Sequence, residues 1–484
     1  MKKYIIVIDQ GTTSSRILLI NKKAEIIYSD YIELVLNKYS DSRIMQSADE
    51  ILLSVKSLIK RLFMRFNLKP DEVDSFTITN QRETTVLWDK KTGKVFDDAI
   101  SWQSAHTKNI TDEWKNKGYG DLIFKKTGLL INPYFSASKI KYLLNNYKGN
   151  PNDLMFGTID SFLIYNLSKE KNHYTDITNA SRTMLYNIKE NKYDQEILDL
   201  LEIPNSILPK VLDNDSLFGH IEISGTLIPI NAVIGDQSSA LFGHLCHSMG
   251  QAKITYGTGC FILLNLEDNL LYSNTGLLTT VAWKLNGNKT NYALEGSVFM
   301  GGEALKWMRD KLNLINDTRE SEEMAYNSTN DKVYVIPAFV GLGAPYWNET
   351  IRGAILGLDA NTKKEDIMKA TLNSIAYQVT DILKVMELEN NIKIEDIKVD
   401  GGVSNNNYLM QFQADLIKCN LIQNKETEIT GLGSSYIAGL KTGFFKNIEE
   451  ITNLQKIKRI YVPSKDLSKN YLRWKEAVNT ISKF

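Results

Sequence analysis

The chain has 484 residues, of which 43% are hydrophobic and 24% are charged, a composition typical of a globular protein with two or three domains. Basic and acidic residues number 57 each, which argues against nucleic-acid binding through bulk charge. Cys246, Cys260 and Cys419 show neither metal-site nor disulfide spacing. Because no signal peptide and no apolar run of about 20 residues is found, we expect a cytoplasmic protein without a membrane span.

Strand and helix signals alternate in the first half of the chain. The hydrophobic pattern predicts strands at Tyr4–Asp9, Arg16–Ile20, Ala24–Ser29, Asp74–Thr79 and Thr84–Trp88, of which the first three form a meander. Ser47, followed three residues later by Glu50, is a capping-box pattern. It predicts the start of a helix with one apolar face.

The second half repeats this order. Strands are predicted at Ala252–Tyr256, Phe261–Asn265, Leu278–Trp283, Tyr292–Glu295 and Ile397–Asp400, the first four as a second meander. Helices are predicted at Gly302–Leu312, Lys364–Met386 and Gly431–Leu440, and another begins near Ser404. The repetition predicts two similar α/β domains, residues 1–245 and 246–484, with a ligand cleft between them.

Glycine-containing turns occur at corresponding places in both halves. They are Asp9-Gln10-Gly11-Thr12-Thr13-Ser14-Ser15-Arg16, Tyr256-Gly257-Thr258-Gly259 and Asp400-Gly401-Gly402. Such turns let backbone N–H groups approach phosphate oxygens, while Arg16 can add positive charge and Asp9 can hold Mg²⁺ through water. One such turn is equally compatible with a plain polar hairpin, but three in this order predict a nucleoside triphosphate site.

Further polar side chains follow predicted strands. Arg82 and Glu83, at the end of one strand, are compatible with an ordinary salt bridge or with a substrate clamp. Tyr134 and the Asp236–Gln237 pair supply other polar groups that favour the clamp. Asp236 follows a strand at a glycine turn, and it is also compatible with the N-cap of a helix over 238–242.

These segments together resemble the FGGY carbohydrate kinases, and closely resemble the members that phosphorylate glycerol. The resemblance also includes Asn179-Ala180-Ser181-Arg182-Thr183, Tyr292-Ala293-Leu294-Glu295-Gly296 and Gly341-Leu342-Gly343-Ala344-Pro345-Tyr346-Trp347, and it extends in order from residue 1 to about residue 480. It implies two actin-like domains of the ribonuclease-H type around a hinged central cleft. It also implies ATP-dependent phosphorylation of glycerol, in a homodimer or homotetramer.

The resemblance implies a role for each matched residue. Asp236 would be the catalytic base. The glycerol hydroxyls would be bound by Arg82, Glu83, Tyr134, Asp236 and Gln237, and the carbon backbone would pack against Trp102 and Phe261. The nucleotide would be bound by Thr12, Thr13, Ser14, Arg16, Thr258, Gly301, Gly302, Gly402 and Asn406. Asp9 and Asp236 would both approach Mg²⁺.

Some positions depart from the family pattern. Ser104-Ala105-His106 stands where the family commonly has Cys-Arg-Arg or Asp-x-Arg, Asn132 replaces an Asp, Ala137-Ser138 replaces Gly-Thr, and Tyr142 replaces a Trp. The segment 219–229 has neither the basic glycine-rich run that binds fructose 1,6-bisphosphate in some relatives nor the phosphorylated histidine loop of others. We therefore expect no fructose 1,6-bisphosphate site, and we interpret His220 as a surface residue.

Two alternatives differ in the chemistry they predict. Another FGGY kinase would phosphorylate a pentulose, hexulose or tetritol, whereas the aromatic residues Trp102 and Phe261 suit a smaller pocket. An actin-like ATPase without kinase activity would have lost the base or the hydroxyl contacts, and all of these residue types are present.

Overall fold

The computed structural model describes residues 2–339, 341–348 and 350–483. The strands of the first half are β1 (Tyr4–Gln10), β2 (Ser14–Asn21), β3 (Ile26–Glu33), β4 (Asn37–Lys38), β5 (Ile44–Gln46), β6 (Val73–Asn80), β7 (Val86–Asp89), β8 (Ala99–Ile100), β9 (Leu154–Gly157), β10 (Tyr174–Asp176), β11 (Tyr186–Asn187), β12 (Lys192–Tyr193), β13 (Lys210–Leu212), β14 (Gly219–Ile223) and β15 (Thr226–Gly235). Its helices are α1 (Ala48–Arg65), α2 (Lys108–Asn116), α3 (Gly120–Thr127), α4 (Ser136–Asn146), α5 (Ile159–Leu167), α6 (Ile177–Ala180), α7 (Gln195–Leu201) and α8 (Asp236–Gly243).

The strands of the second half are β16 (Ala252–Tyr256), β17 (Cys260–Glu267), β18 (Leu278–Trp283), β19 (Asn291–Val298), β20 (Tyr334–Ile336), β21 (Ala354–Leu356), β22 (Asp396–Asp400), β23 (Asn420–Asn424) and β24 (Ile457–Tyr461). Its helices are α9 (Gly302–Asp310), α10 (Glu320–Asn327), α11 (Lys364–Asn390), α12 (Asn407–Ile417), α13 (Ile429–Thr442), α14 (Ile448–Leu454) and α15 (Ser468–Ile481).

Each half contains a mixed sheet in which a hairpin adjoins parallel strands. The order in the first sheet is β14-β15-β6-β1-β2-β3, with β1 antiparallel to β2 and parallel to β6. The order in the second sheet is β18-β19-β17-β16-β22-β23-β24, with β16 antiparallel to β17 and parallel to β22. The repeated arrangement confirms the predicted two-domain α/β fold.

The sequence-based prediction is wrong in one detail of the second sheet. The four strands from 252 to 298 do not form a simple meander, because β19 pairs with β17 and β18 lies outside it at the sheet edge. The two strands are joined by 284–290, which lets β19 return inside β18. Sequence spacing shows where the strands lie, but it does not show which edge each one joins.

The helix signals correspond to local hydrogen bonds. The Ser47 hydroxyl accepts a hydrogen bond of 3.2 Å from the Glu50 amide and caps α1, as the sequence predicted. Asp236, in contrast, is not an N-cap. Gly235 occupies that position and Asp236 is the first residue of α8, where its carboxylate accepts from the amide of the next residue at 2.7 Å. The Asp236 Oδ1 therefore lies at the start of α8, within 3.4 Å of the Arg82 Nε.

The two halves share a hydrophobic core. One face of β1 and β2, with Val7 and Leu18, packs against α13, which belongs to the second half of the sequence. Helix α13 also lies against α8, where small residues bring the two backbones together. The sheet that carries the amino-terminal site residues is therefore covered by a helix from the other half. Within the described ranges, no helix is both long and apolar enough to span a bilayer.

This close approach makes a strong prediction for Gly433 in α13. A Cβ atom at this position would overlap the backbone carbonyl oxygen of Ser239 in α8, which cannot move without displacing the helix. We expect Gly433→Ala to lower the free energy of unfolding by about 3 kcal/mol, because overpacking at a backbone contact forces the helices apart. Urea unfolding followed by circular dichroism measures the change.

Gly120 offers a matched control for this substitution. It opens α3, and an added Cβ would meet no atom within 4 Å. Gly120→Ala should change stability by less than about 1 kcal/mol. Equal stabilities of the two variants would contradict the proposed helix contact.

Candidate active site

The candidate site lies at the carboxyl ends of three neighbouring parallel strands. In the sheet register Asp9 of β1 is opposite Thr79 of β6, and Gly235 of β15 is opposite Asn80 of β6. The chain then continues to Arg82 beyond β6 and to Asp236 beyond β15. The common direction of these strands thus brings three sequence-predicted site residues to one edge of the sheet.

Arg82 is the centre of this group and is 3% exposed. Its Nη1 and Nη2 donate hydrogen bonds to the two carboxylate oxygens of Glu295 at 2.8 and 2.9 Å. Its Nε lies 3.4 Å from the Asp236 Oδ1 and 3.9 Å from the Glu83 Oε1. Its aliphatic stem covers Gly235, where an added Cβ would lie 2.9 Å from the Arg82 Cγ and Cδ. Glycine at 235 therefore leaves the space that the arginine occupies.

Glu83 is held in an unusual backbone conformation. Its φ is 62°, in the left-handed region that non-glycine residues rarely occupy. Hydroxyls of Ser136 and Thr85 both donate to the Glu83 carbonyl oxygen at 3.0 Å. Arg182 Nε donates to the Glu83 Oε1 at 2.6 Å, while Oε2 has no hydrogen-bond partner in the described part of the chain. A residue with a strained backbone and a carboxylate oxygen that accepts no hydrogen bond is typical of a binding site.

Aromatic rings form the wall beside these charges. The Trp102 ring lies 5.5 Å from the Tyr134 ring and 6.2 Å from the Phe261 ring, both edge to face. Trp102 Nε1 also donates a 2.9 Å hydrogen bond to the Thr12 hydroxyl, next to the first glycine turn. The Tyr134 hydroxyl makes no hydrogen bond to any described residue, and burial raises the pKa of Tyr134 well above its usual range. It therefore stays a protonated donor.

A buried lysine that the sequence analysis did not identify holds Tyr134 in place. Lys139 is 0% exposed, and its Nζ donates to the carbonyl oxygens of Pro133, Tyr134 and Phe135 at 2.7, 2.6 and 3.1 Å. Burial lowers the pKa of Lys139 to about 7. Three carbonyl acceptors satisfy the three donors of an ammonium group, so the turn before α4 is closed around it.

A second buried lysine reaches the Asp236 segment from the other half of the chain. Lys253 of β16 donates to the side-chain oxygen of Gln237 and to the Thr255 hydroxyl. Burial raises the pKa of Asp236, while the positive charges of Arg82 and Lys253 act against that rise. The predicted base and Gln237 are thus flanked by cations from both halves.

The first two glycine turns expose backbone donors. Among the described residues, no acceptor takes a hydrogen bond from the amides of Thr12 and Thr13 in the β1–β2 turn or of Thr258 in the β16–β17 turn. Ser14 begins β2, and Arg16 within that strand forms an ion pair with Glu428, 412 residues away in sequence. Unpaired amides at these two turns suit phosphate oxygens.

A cavity of about 430 Å³ lies beside the second turn. It is lined by four of the nine residues predicted for the nucleotide, Thr258, Gly302, Gly402 and Asn406. Gly301 lies behind them, and its amide donates to the Thr258 carbonyl at 2.9 Å. An added Cβ at Gly402 would meet nothing within 4 Å, so this glycine faces open space. The size of the cavity and the glycines in its lining, Gly257, Gly302 and Gly402, fit a nucleoside.

Asp9 has the character of a cation ligand. Its carboxylate makes no hydrogen bond within residues 2–339, 341–348 and 350–483. Burial raises the pKa of Asp9 to about 7; Arg16 opposes this rise, and the charges of Glu428 and Asp236 add to it. In the described chain no group of three His, Cys, Asp or Glu side chains could hold a metal. The two aspartates therefore fit Mg²⁺ only with further oxygen ligands from phosphate or water.

Sequence reasoning missed Arg182, Lys139, Lys253 and Glu295 as parts of this site. Arg182 and Glu295 stand in segments that carried the family resemblance, but without an assigned role. The available signal was a charged residue inside an otherwise apolar or small-residue segment, as in Tyr292-Ala293-Leu294-Glu295-Gly296. Charged residues are rarely fully buried unless they are paired, so such positions indicate partners elsewhere in the chain.

Comparisons with known proteins find relatives over the whole chain. Family models for the N-terminal and C-terminal domains of the FGGY family of carbohydrate kinases match residues 4–243 and 252–442. Glycerol kinases from Bacillus cytotoxicus and Streptococcus pneumoniae are 44% and 45% identical to the whole chain, over 100% and 98% of their own lengths. The predicted domain boundary near residue 245 stays a prediction.

Solved structures show the same fold. The crystal structure of Plasmodium falciparum glycerol kinase with ADP has a TM-score of 0.92 and 32% identity, over 99% of this chain and 98% of that one. A ligand-bound xylulose kinase from Lactobacillus acidophilus has a TM-score of 0.86 at 21% identity, over 99% of this chain and 97% of that one, and shares the fold. The chain is a carbohydrate kinase and belongs to the FGGY family.

Proposed function

We propose that the chain transfers the γ-phosphoryl group of ATP to a terminal hydroxyl of glycerol, giving sn-glycerol 3-phosphate and ADP. The observation that carries the proposal is the group formed by buried Arg82 and Glu83 with the partly exposed Asp236, together with the edge-to-face rings of Trp102 and Phe261. Close rings next to charged groups suit a three-carbon polyol with one apolar and one polar side. The full-length similarity to bacterial glycerol kinases supports the same substrate.

The substrate hydroxyls would be bound by the polar atoms that the protein leaves available. Glu83 Oε2 accepts from one hydroxyl, while the Tyr134 hydroxyl and the remaining N–H groups of Arg82 donate to others. Gln237 lies beside Asp236 and completes this side of the pocket. Trp102 and Phe261 cover the carbon backbone, and the strained backbone of Glu83 keeps its carboxylate in one orientation.

Asp236 would act as the general base. Its carboxylate accepts the proton of the terminal hydroxyl as that oxygen attacks the γ-phosphorus and the bond to the β–γ bridging oxygen breaks. The side chain is partly exposed at the cleft and lies beside Arg82, whose charge favours the ionised carboxylate. A cleft that closes over both ligands excludes the water that would otherwise hydrolyse ATP.

The nucleotide would lie across both halves. The amides of Thr12, Thr13 and Thr258, with Ser14, face the phosphates, and the cavity at Gly301, Gly302, Gly402 and Asn406 takes the adenosine. Arg16 would share its charge between Glu428 and a phosphate. Asp9 and Asp236 would hold Mg²⁺, which neutralises phosphate charge when bound. Ligand contacts in both halves favour the arrangement that brings the halves together.

A coupled assay of ADP release across a panel of polyols and sugars tests the substrate. We expect a kcat/KM for glycerol at least about tenfold above that for a tetritol, a pentulose or a hexulose, since a missing or mismatched hydroxyl contact costs about 1–3 kcal/mol. Preference for a ketose would favour another member of the family. ADP release that is independent of any polyol would favour an ATPase.

The proposal also includes the cellular location and the oligomeric state. We expect a cytoplasmic enzyme that forms a homodimer or homotetramer and has no nucleic-acid partner. Size-exclusion chromatography with light scattering measures the assembly. A monomer at micromolar concentration would contradict that part of the proposal alone, because the residues proposed to bind glycerol all come from one chain.

Gly402 gives a direct test of the nucleotide cavity. Because an added Cβ meets no atom within 4 Å, Gly402→Val should fold normally and place its methyl groups in the cavity. We expect the KM for ATP to rise about tenfold, equivalent to about 1.4 kcal/mol, with the KM for glycerol unchanged. Gly402→Ala should give a smaller increase. An unchanged KM for ATP in both variants would place the nucleotide elsewhere.

A further inference from the structure

A buried ion cluster joins the two halves of the chain at the candidate glycerol site. It consists of Arg82, Glu83 and Arg182 from the first half and Glu295 from the second. Arg82 is 3% exposed and the other three are 1% or less. Besides the paired hydrogen bonds from Arg82, Glu295 accepts one from Arg182 Nη2 at 3.1 Å. Glu295 is therefore the shared acceptor of two buried arginines.

Arg182 connects Glu295 to side chains that are proposed to bind glycerol. Its Nε donates to Glu83 at 2.6 Å, and its guanidinium lies over the rings of Tyr134 and Phe135, 5.6 and 5.2 Å from their centroids. Its Nη1 has no hydrogen-bond partner among the described residues. The orientation of Arg182 thus depends on its carboxylate partners, and two proposed glycerol-binding residues depend on Arg182.

Glu295 is well placed to fix this geometry because it lies within a central strand. It stands in β19, opposite Leu263 of β17 and Leu278 of β18, so its backbone is paired on both sides. The next residue, Gly296, is in direct contact with Ile382 of α11, and an added Cβ there would overlap the isoleucine side chain. Sheet pairing and this helix contact leave the Glu295 backbone little freedom.

The charges of the cluster balance only when Glu295 is ionised. Two arginines face two glutamates, and removal of one carboxylate would leave a buried net positive charge, which is costly. Although burial alone would raise the pKa of Glu295, the charges of Arg182 and Arg82 lower it to about 2. The carboxylate is therefore present at any pH at which the enzyme would work.

We propose that Glu295 is a positioning residue for the glycerol site: it holds Arg82 directly and Glu83 through Arg182, so that the second half of the chain sets the geometry of substrate groups carried by the first. This inference rests on the proposed function. Glu295 touches the arginines and not the substrate, so its effect should appear in glycerol binding and not in nucleotide binding.

The test is steady-state kinetics on Glu295→Gln, Glu295→Asp and the wild type, with each substrate varied. Glutamine has the same shape but no charge, and its amide nitrogen cannot accept a hydrogen bond from an arginine as the carboxylate oxygen it replaces does. We expect the KM for glycerol to rise about 10- to 100-fold, as for the loss of a hydrogen bond to a charged group, with the KM for ATP within about threefold. Glu295→Asp should restore part of the glycerol affinity.

Asp381→Asn is the matched control for loss of a buried carboxylate. Asp381 is 2% exposed and accepts hydrogen bonds from Tyr346, Tyr471 and Trp474 at 2.7, 2.6 and 2.9 Å, outside the cluster. It should lower the melting temperature without changing the KM for glycerol. If Asp381→Asn raised the KM for glycerol as much as Glu295→Gln, the effect would be general destabilisation, and the proposal would fail.

A second variant covers the case in which Glu295→Gln does not fold. Arg182→Lys keeps the charge but cannot reach Glu83 and Glu295 at once, so it should also raise the KM for glycerol with the KM for ATP retained. An unchanged KM for glycerol in either folded variant overturns the positioning role, as does an equal rise in both KM values. Wild-type protein that does not phosphorylate glycerol would instead refute the proposed function.

Discussion

Asp236→Asn is expected to lower kcat by about 10²- to 10⁴-fold, the usual loss when a general base is removed. The amide has the shape of the carboxylate and retains an oxygen that can accept from the Gln237 amide, now 2.7 Å away. It cannot accept the proton of an attacking hydroxyl. The loss should therefore appear in kcat, while thermal unfolding and circular dichroism stay close to those of the wild type.

Asp49→Asn is a suitable control for this prediction. Asp49 is also an aspartate in the first turn of a helix, α1, but it is exposed and its side chain makes no hydrogen bond to any described residue. Its substitution should leave kcat within about twofold, since a helix-terminus charge contributes only about 0.3–1 kcal/mol to stability. If Asp236→Asn kept more than about a tenth of the wild-type kcat, another group would have to accept the proton.

Local chemistry made much of the fold predictable. The β1–β3 meander, the Ser47 cap and the strand over Leu278–Trp283 follow from hydrophobic patterning and capping, which depend on neighbouring residues. The position of β18 outside β19 could not be predicted in this way, because either edge of the sheet satisfies the same pattern. The placement of α13 against the first sheet is similarly a contact between distant segments.

In the candidate site, too, some features could be predicted from neighbouring residues, whereas contacts between distant segments could not. Glycine turns and the strand-end residues Arg82 and Asp236 are visible as local patterns, and the resemblance gave them expected roles. The partners of these residues are not local. Arg16 pairs with Glu428 across 412 residues and Arg82 with Glu295 across 213. A sequence shows that a charged residue stands among apolar ones, but the identity of its partner depends on how the two halves meet.

The network around Gln237 illustrates a further limit. Lys253 is fully buried in β16, whereas in the sequence it is simply one lysine within a predicted strand. Only the structure places Lys253 between the Asp236 segment and Asp400. Burial lowers the pKa of Lys253, and the negative charges of Asp400 and Asp236 oppose that change. The burial of such a residue depends on charges from distant segments, which no local pattern shows.

Arg82→Ala should have the largest effect on glycerol binding. The change removes a proposed hydroxyl donor and leaves Glu295 with Arg182 as its remaining partner in the described cluster. Breaking a buried ion pair by removing one member costs about 3–5 kcal/mol. We expect the KM for glycerol to rise at least about 100-fold while the KM for ATP stays within about threefold, together with a lower melting temperature.

Arg65→Ala is the control for loss of an arginine, because its ion pair with Asp30 is long, 3.7 Å, and its side chain is 64% exposed. Exposed pairs contribute about 0–1 kcal/mol, so its kinetics and stability should be close to those of the wild type. A parallel rise of both KM values in Arg82→Ala would assign Arg82 to the structure of the cleft rather than to glycerol.

Stability and binding can be separated by adding Glu295→Ala to Arg82→Ala. The double variant leaves Arg182 and Glu83 as a neutral pair, now joined by a 2.6 Å hydrogen bond, so the charges that remain in the cluster balance. We expect it to recover part of the melting temperature lost by Arg82→Ala, because the unpaired charge is gone. Glycerol affinity should not recover, because the hydroxyl donor is still missing. Recovery of both would mean that Arg82 affects glycerol only through the fold.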